Sequence, residues 1–274
     1  MTMTTPRHGV LPASLEDRYA SVKDRVARAA QSSGRRAEDI ILCAVTKQAE
    51  PEQIRTLLDL GHIDFGENRV QELMQRAVMV EEYFARLRVH PHGRRPQPGN
   101  SLLAAPETPA GPGVRWHMIG HLQRNKARKV IEFVRLVQSV DSLRLAEELQ
   151  QIGMKRDQAV DVLIQVNCSG ETTKFGCPVP AAMPLAEQVS TMANVRVRGL
   201  MTIAPLSENP EEARATFARC RDLFEEIKSS PVNEGQFNIL SMGMSGDFEI
   251  AIAEGANLVR VGTAIFGEPR PGAE

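Results

Sequence analysis

Continuous apolar runs alternate with amphipathic stretches through most of the chain. The first run, Ile40-Ile-Leu-Cys-Ala-Val-Thr-Lys47, stays apolar and partly β-branched until it meets its lysine. Such a run reads as a strand covered on both faces, as in a parallel α/β sheet. Pro51 to Leu60 reads as the following helix, with Gly61 as its terminator. Further strands are expected near His62–Gly66, Val114–Ile119, Leu136–Val140, Asp161–Val166, Val195–Thr202, Phe237–Ser241 and Leu258–Ile265. Helical patterns fill the gaps, most clearly over Glu67–Phe84 and Pro210–Lys228. Eight strands of this kind predict a single TIM-like (β/α)8 barrel, with an open doubly wound sheet as the alternative. Nine residues follow Ile265, too few for an eighth outer helix. A helix opening at Ser14, with Asp17 completing a capping box, carries Leu15, Val22, Val26 and Ala29 on one face. This N-terminal helix is expected to cover the barrel wall near its closure.

Two kinds of segment depart from the pattern. Residues 1–13 and 271–274 read as tails, the first of them disordered, so that one domain spans 14–270. Val89 to Gly113 holds six prolines and four glycines in 25 residues and reads as a loop insertion. His90 and His92 lie within it, where a solvated loop is the expected reading and a metal site the alternative.

Composition narrows the function classes. A net charge of −1 over 274 residues argues against a nucleic-acid protein held by bulk electrostatics. No apolar run reaches membrane-helix length, and no signal-peptide pattern opens the chain. Cys43, Cys168, Cys177 and Cys220 form no CxxC pair, which argues against a zinc or redox motif and for a reducing cytoplasmic setting.

The candidate chemistry lies at strand ends. Lys47 closes the first strand, at the end where α/β folds bind ligands. A lysine drawn into a low-dielectric mouth can become an amine nucleophile towards carbonyls, whereas the plain alternative is a solvated lysine in a loop. In Leu258-Val-Arg-Val-Gly-Thr-Ala-Ile-Phe266, alternation sets Arg260 on the face opposite Val259 and Val261. If the valines meet the helices, Arg260 points into the barrel and needs an acceptor there, for instance a barrel carboxylate. Gly262 and Thr263 follow, with open backbone N–H groups and a hydroxyl. The seventh strand ends in Ser241-Met-Gly-Met-Ser-Gly-Asp247, a small-residue turn before a helix that suits a phosphate dianion. Asp247 is expected to cap that helix. Barrel phosphate sites are commonly built from the loops after strands seven and eight. Asn68, His117, Ser139, Asn167 and Thr202 also stand at strand ends, where satisfied structural groups are the commoner case. The two tyrosines, Tyr19 and Tyr83, fall in predicted helices. An amine, a phosphate cradle and a buried arginine together suit a phosphorylated aldehyde such as pyridoxal 5′-phosphate (PLP).

These segments resemble the PLP homeostasis (PLP-binding) proteins, single-domain relatives of the alanine racemase barrel of PLP fold type III. The resemblance is carried in order by Ala44-Val-Thr-Lys47, Phe65-Gly-Glu-Asn68, Trp116-His-Met-Ile-Gly120, Asn125-Lys126, Asn167, Gly199-Leu-Met-Thr-Ile203, Leu240-Ser-Met-Gly-Met-Ser245 and Val259-Arg-Val-Gly-Thr-Ala-Ile-Phe-Gly267. It implies that Lys47 forms an internal aldimine and that Arg260 faces the pyridine nitrogen. It implies further that Asn68 and Met201 line the ring. Ser241, Gly262 and Thr263 would hold the phosphate with the Met242-Gly243-Met244 backbone. It also implies a protein with little or no catalysis of its own that buffers PLP or delivers it to apo PLP-dependent enzymes; separately, a monomer is expected. An amino-acid racemase is the alternative, although racemases add a β domain with a catalytic tyrosine. The family usually has proline where His121 stands and an aromatic residue where Arg69 stands, and its counterpart of the 89–113 segment is shorter.

Overall fold

A computed structural model of the chain describes residues 14–89, 113–171, 174–230 and 236–268. The tails at 1–13 and 271–274, and the part of the insertion that holds His90 and His92, lie outside the described residues. The strands are β1 (Ile41–Val45), β2 (Asp64–Glu67), β3 (Arg115–Met118), β4 (Val134–Val140), β5 (Val160–Asn167), β6 (Cys177–Pro178), β7 (Val195–Met201), β8 (Ile239–Ser241) and β9 (Leu258–Val261). All but β6 form a closed parallel barrel, because β9 pairs back onto β1 and β4 pairs with β5. This closure rules out the open sheet. β6 is a two-residue strand paired with the end of β5, and no hydrophobic run announced it.

The helices are α1 (Leu15–Ser32), α2 (Pro51–Asp59), α3 (Val70–Val89), α4 (Arg124–Val130), α5 (Leu143–Arg156), α6 (Val179–Ser190), α7 (Arg214–Ser229), α8 (Phe248–Ala253) and α9 (Thr263–Phe266). α1 begins where its capping box requires: Ser14 Oγ accepts from Asp17 N–H at 3.1 Å, and Ser14 N–H donates back to the Asp17 carboxylate at 3.2 Å. Its buried stripe is Tyr19, Val22, Val26 and Ala30. Arg18 donates to the Ile265 carbonyl at 2.8 Å, and Arg25 pairs with Glu249 of α8 at 2.6 Å. α1 thus seals the wall beside the closure, where α9 is only a single turn. The last strand is shorter than its apolar run suggested. It stops at Val261, because the N–H groups of Gly262 and Ala264 turn to Ser245 Oγ and Thr263 starts α9.

The barrel interior is layered, as side chains from alternate strands stack inward. Its floor is ionic: Asp161 takes Arg135, Arg196 and Arg198 at 2.8, 2.8 and 3.0 Å, and Asp64 takes Arg115 at 2.5 Å. Above the floor lies an apolar plug of Ile41, Cys43, Leu136, Leu163, Met201, Ile239 and Leu258. The valines flanking Arg260 pack outward into the helical layer, which turns Arg260 inward above the plug. Gly199 in β7 sits at φ +149°, where a Cβ would lie 1.8 Å from the Ile239 carbonyl oxygen, so only glycine allows β7 and β8 to approach there.

Candidate functional site

A cavity of about 530 Å³ opens at the carboxyl ends of the strands, within the usual size range of small-molecule sites. Lys47, Asn68, Met244, Arg260, Gly262 and Thr263 all line it. Inward alternation along β1 carries Ile41, Cys43 and Val45 up to Lys47 at the rim. The neighbouring Thr46 is buried; its hydroxyl donates to Glu67 Oε2 at 2.8 Å, and Arg76 clamps the same carboxylate. That anchor fixes the backbone from which Lys47 projects. Lys47 itself is exposed, so it stands at the rim instead of in the low-dielectric mouth proposed for it. Its amine has no hydrogen-bond or ion-pair partner among the described residues. Lys174, by contrast, pairs with Glu171 at 3.6 Å and does not line the cavity.

The loop after β8 and the start of α9 form one wall. Ser245 Oγ accepts from Gly262 N–H at 3.1 Å and from Ala264 N–H at 3.3 Å. An oxygen atom of the protein therefore already sits among backbone donors, as an oxygen of an anion would. Gly243 holds the turn at φ +93°, where a Cβ would meet Ala251 at 2.5 Å. Asp247 is the residue before α8, yet its carboxylate does not cap that helix. It turns back to accept from Met244 N–H at 2.5 Å, and burial raises its pKa.

Arg260 forms the base of the cavity. It is 4% exposed and donates Nη1–H to Ser241 Oγ at 2.5 Å and Nη2–H to the Thr202 carbonyl at 2.8 Å. Both acceptors are neutral, and no carboxylate salt-bridges it among the described residues. Burial pulls its pKa down to about 10, which leaves it a cation at neutral pH. A buried cation with neutral partners and unused N–H donors is suited to a polar acceptor arriving in the cavity.

Four expected site residues do not line the cavity. Ser241 is fully buried, with its hydroxyl committed to Arg260 and Gln138. Met201 belongs to the plug; Met242 and Gly243 were expected to act through their backbone, where Met242 N–H donates to the Leu258 carbonyl at 3.1 Å and the Gly243 carbonyl accepts from Arg260 N–H at 3.0 Å. Their inward or outward sense follows from strand parity, which a motif alone does not resolve. The resemblance set Ser241 at the phosphate; the structure puts Ser245 on the cavity wall instead, with Ile203 in the lining rather than Met201. His121 also lines the cavity, stacked on Phe175 with ring centroids 4.9 Å apart. Asn167 organises its own loop, donating to the Glu171 carbonyl and accepting from Ser169 and Gly170. Gln138 and His117 lie buried beneath the cavity and were not among the expected residues; a glutamine inside the apolar run of β4 was the available signal.

The profile of the alanine racemase N-terminal domain family matches residues 19–270. A pyridoxal phosphate homeostasis protein of Aquifex aeolicus is 35% identical over 92% of this chain and 97% of its own length. An unknown protein from Bifidobacterium adolescentis superposes with TM-score 0.78 at 35% identity, covering 92% of this chain and 94% of that one. PipY of Synechococcus elongatus, solved with PLP bound, gives TM-score 0.70 at 31% identity, covering 93% of this chain and all of that one. Alanine racemase of Clostridium difficile shares the fold alone, with TM-score 0.59 at 12% identity over 92% of this chain and 56% of that one. The chain therefore belongs to the alanine racemase N-terminal domain family, among relatives that are pyridoxal phosphate homeostasis proteins.

Proposed function

We propose that this chain binds pyridoxal 5′-phosphate and serves in PLP homeostasis, holding the cofactor or passing it to apo PLP-dependent enzymes, with little or no catalysis of its own. The observation that carries the reading is the convergence in one cavity of an unpartnered amine, a backbone-rich anion cradle and a buried cation with neutral partners. The donor set fits the group. Bound PLP would present an aldehyde to the Lys47 amine. Thr263 and Ser245 would hold its phosphate, and the Gly262 N–H would join them by exchanging Ser245 Oγ for a phosphate oxygen. Arg260 would offer N–H donors to the ring nitrogen, and Asn68 would stand beside the ring. The PLP-bound relative and the homeostasis proteins among its relatives support this reading. No helix among the described residues is long and apolar enough to cross a membrane. The four cysteines are all buried and unpaired, which suits a reducing cytoplasm.

Two-base chemistry on an amino acid needs a second proton carrier facing the lysine. Neither tyrosine of this chain reaches the cavity. The Tyr19 hydroxyl bonds His62 at 3.1 Å, and Tyr83 donates to Asp59 at 2.5 Å. Burial, with the nearby Asp64 charge, pushes the Tyr19 phenol up to about 12. An arginine at the ring nitrogen also disfavours its protonation, and with it the strongest electron-sink form of the cofactor. Purified protein supplied with PLP should develop a visible absorption band and a borohydride-reducible adduct, yet show negligible racemisation across a panel of L-amino acids. No adduct would end the PLP reading. Robust conversion of an L-amino acid to its D form, lost in Lys47→Ala, would establish a racemase instead.

Thr263→Ala should weaken PLP retention by about 1–3 kcal/mol, the scale of one charge-assisted hydrogen bond. Binding of pyridoxal, which lacks the phosphate, should be weak in the native protein and hardly changed by the substitution. Equal retention of PLP and pyridoxal by the native protein would remove the phosphate from the cradle.

A further inference from the structure

Beneath the cavity a single hydrogen-bonded chain crosses the barrel. Arg260 Nη1–H donates to Ser241 Oγ at 2.5 Å, and Ser241 O–H donates to Gln138 Oε1 at 2.7 Å. The Gln138 amide NH₂ meets His117 Nδ1 at 2.8 Å, and His117 Nε2 meets Asp64 Oδ1 at 3.1 Å. The five residues come from β9, β8, β4, β3 and β2, and each is buried. The glutamine carbonyl is taken by Ser241, so its NH₂ faces the histidine. Nδ1 must then accept, which leaves the proton on Nε2 for Asp64. Every donor points the same way, from Arg260 at the cavity towards the carboxylate at the floor.

The direction matters for Arg260. A serine hydroxyl rotates freely and can either accept from a guanidinium or compete with it for the Thr202 carbonyl. Once its own proton is committed to Gln138, it can only accept from Nη1. The guanidinium then has two fixed acceptors on one side, Ser241 and Thr202, and presents its other N–H groups elsewhere. The far end of the chain is equally fixed. Burial alone would raise the Asp64 pKa, but hydrogen bonds from His117 and Arg115 outweigh it and hold the group at about 2. Asp64 therefore stays an acceptor at neutral pH. A glutamine and a histidine inside a barrel are costly unless every polar atom is matched, and here each is matched by the next.

We propose that Asp64, His117, Gln138 and Ser241 are positioning residues for Arg260, a relay that aims the guanidinium at the ring of the bound pyridine. This rests on the PLP reading above. It also gives Ser241 a different role from a phosphate ligand, and the two roles separate experimentally. Ser241→Ala and Gln138→Met, the second nearly constant in volume, are titrated with PLP and with pyridoxal, and the visible band of each bound form is recorded. Each variant should lose about tenfold in retention of both ligands, the size of one hydrogen bond to a charged group. The visible band should also move from its native position, because the group facing the ring has moved. Ser241→Thr, which keeps the hydroxyl, should restore both the native band and native retention.

A loss confined to PLP would make Ser241 a phosphate contact and overturn the relay. Native retention with a native band in both variants would overturn it as well. If Gln138→Met fails to fold, as circular dichroism would show, the serine pair alone decides. A native protein that forms no borohydride-reducible adduct would defeat the PLP reading itself, a result distinct from either outcome for the relay.

Discussion

Lys47→Ala leaves a folded protein that no longer forms a borohydride-reducible adduct with PLP. Lys47 is exposed at the rim and bonds to nothing among the described residues, so its truncation should change stability by less than about 0.5 kcal/mol. The surrounding anchors survive the change: Thr46 keeps Glu67, and Arg260 keeps Ser241 and Thr202. PLP should still enter the cradle, but weakly and reversibly, since the covalent link is lost and only phosphate and ring contacts remain. Reduction followed by peptide mass analysis checks this. The native protein should carry the pyridoxyl mass on the peptide containing Lys47, and the variant should carry none. An unchanged level of adduct in the variant would move the nucleophile elsewhere. Lys174 would be the next candidate, although its pairing with Glu171 and its absence from the cavity lining argue against it.

The reach of the sequence differs between elements for physical reasons. Barrel strands are buried on both faces, so their apolar runs are continuous, and eight of them were readable with their approximate ends. The same property hides which way a given residue points. Arg260 could be oriented because two valines flank it, and the structure places both in the outer layer. Ser241 is the last residue of β8, directly before the loop that faces the cavity, and its motif contains a second serine four residues on. Choosing between them required the geometry that turns Ser241 under Arg260 and leaves Ser245 on the cavity wall. The last strand was overextended because Thr263-Ala-Ile-Phe266 is as apolar as a strand. Only the hydrogen bonds of Gly262 and Ala264 to Ser245 show where the ladder stops. The relay was the least legible feature. Asp64, His117 and Gln138 are far apart in the chain, and only closure of the barrel brings β4 across from β8. Arg196 and Arg198 alternate along the β7 run, but nothing in the sequence marks Asp161 as the carboxylate that collects both.

That carboxylate gives the second large effect: Asp161→Ala should destabilise the protein by about 3 kcal/mol, lowering Tm by roughly 10 °C, while leaving the bound-PLP spectrum at its native position. Asp161 is 1% exposed and is shared by Arg135 of β4 and by Arg196 and Arg198 of β7, at the barrel floor. Removing it takes the common counter-charge from three clustered guanidiniums, which then repel one another. Arg196 and Arg135 are partly open to water, and this keeps the cost near the low end for a broken buried ion cluster. The spectrum should not respond, because the apolar plug containing Leu163, Met201 and Ile239 separates this carboxylate from Arg260, and no hydrogen bond of Asp161 enters the relay. Asp64→Asn makes the instructive contrast. It also sits at the floor, but its side chain is the last acceptor of the chain from Arg260, so its replacement should move the band as well as lower Tm. Thermal unfolding and absorption spectra of the two variants, recorded side by side, provide the check. A displaced band in Asp161→Ala, with the protein folded, would mean that the floor communicates with the cavity by a route other than the relay.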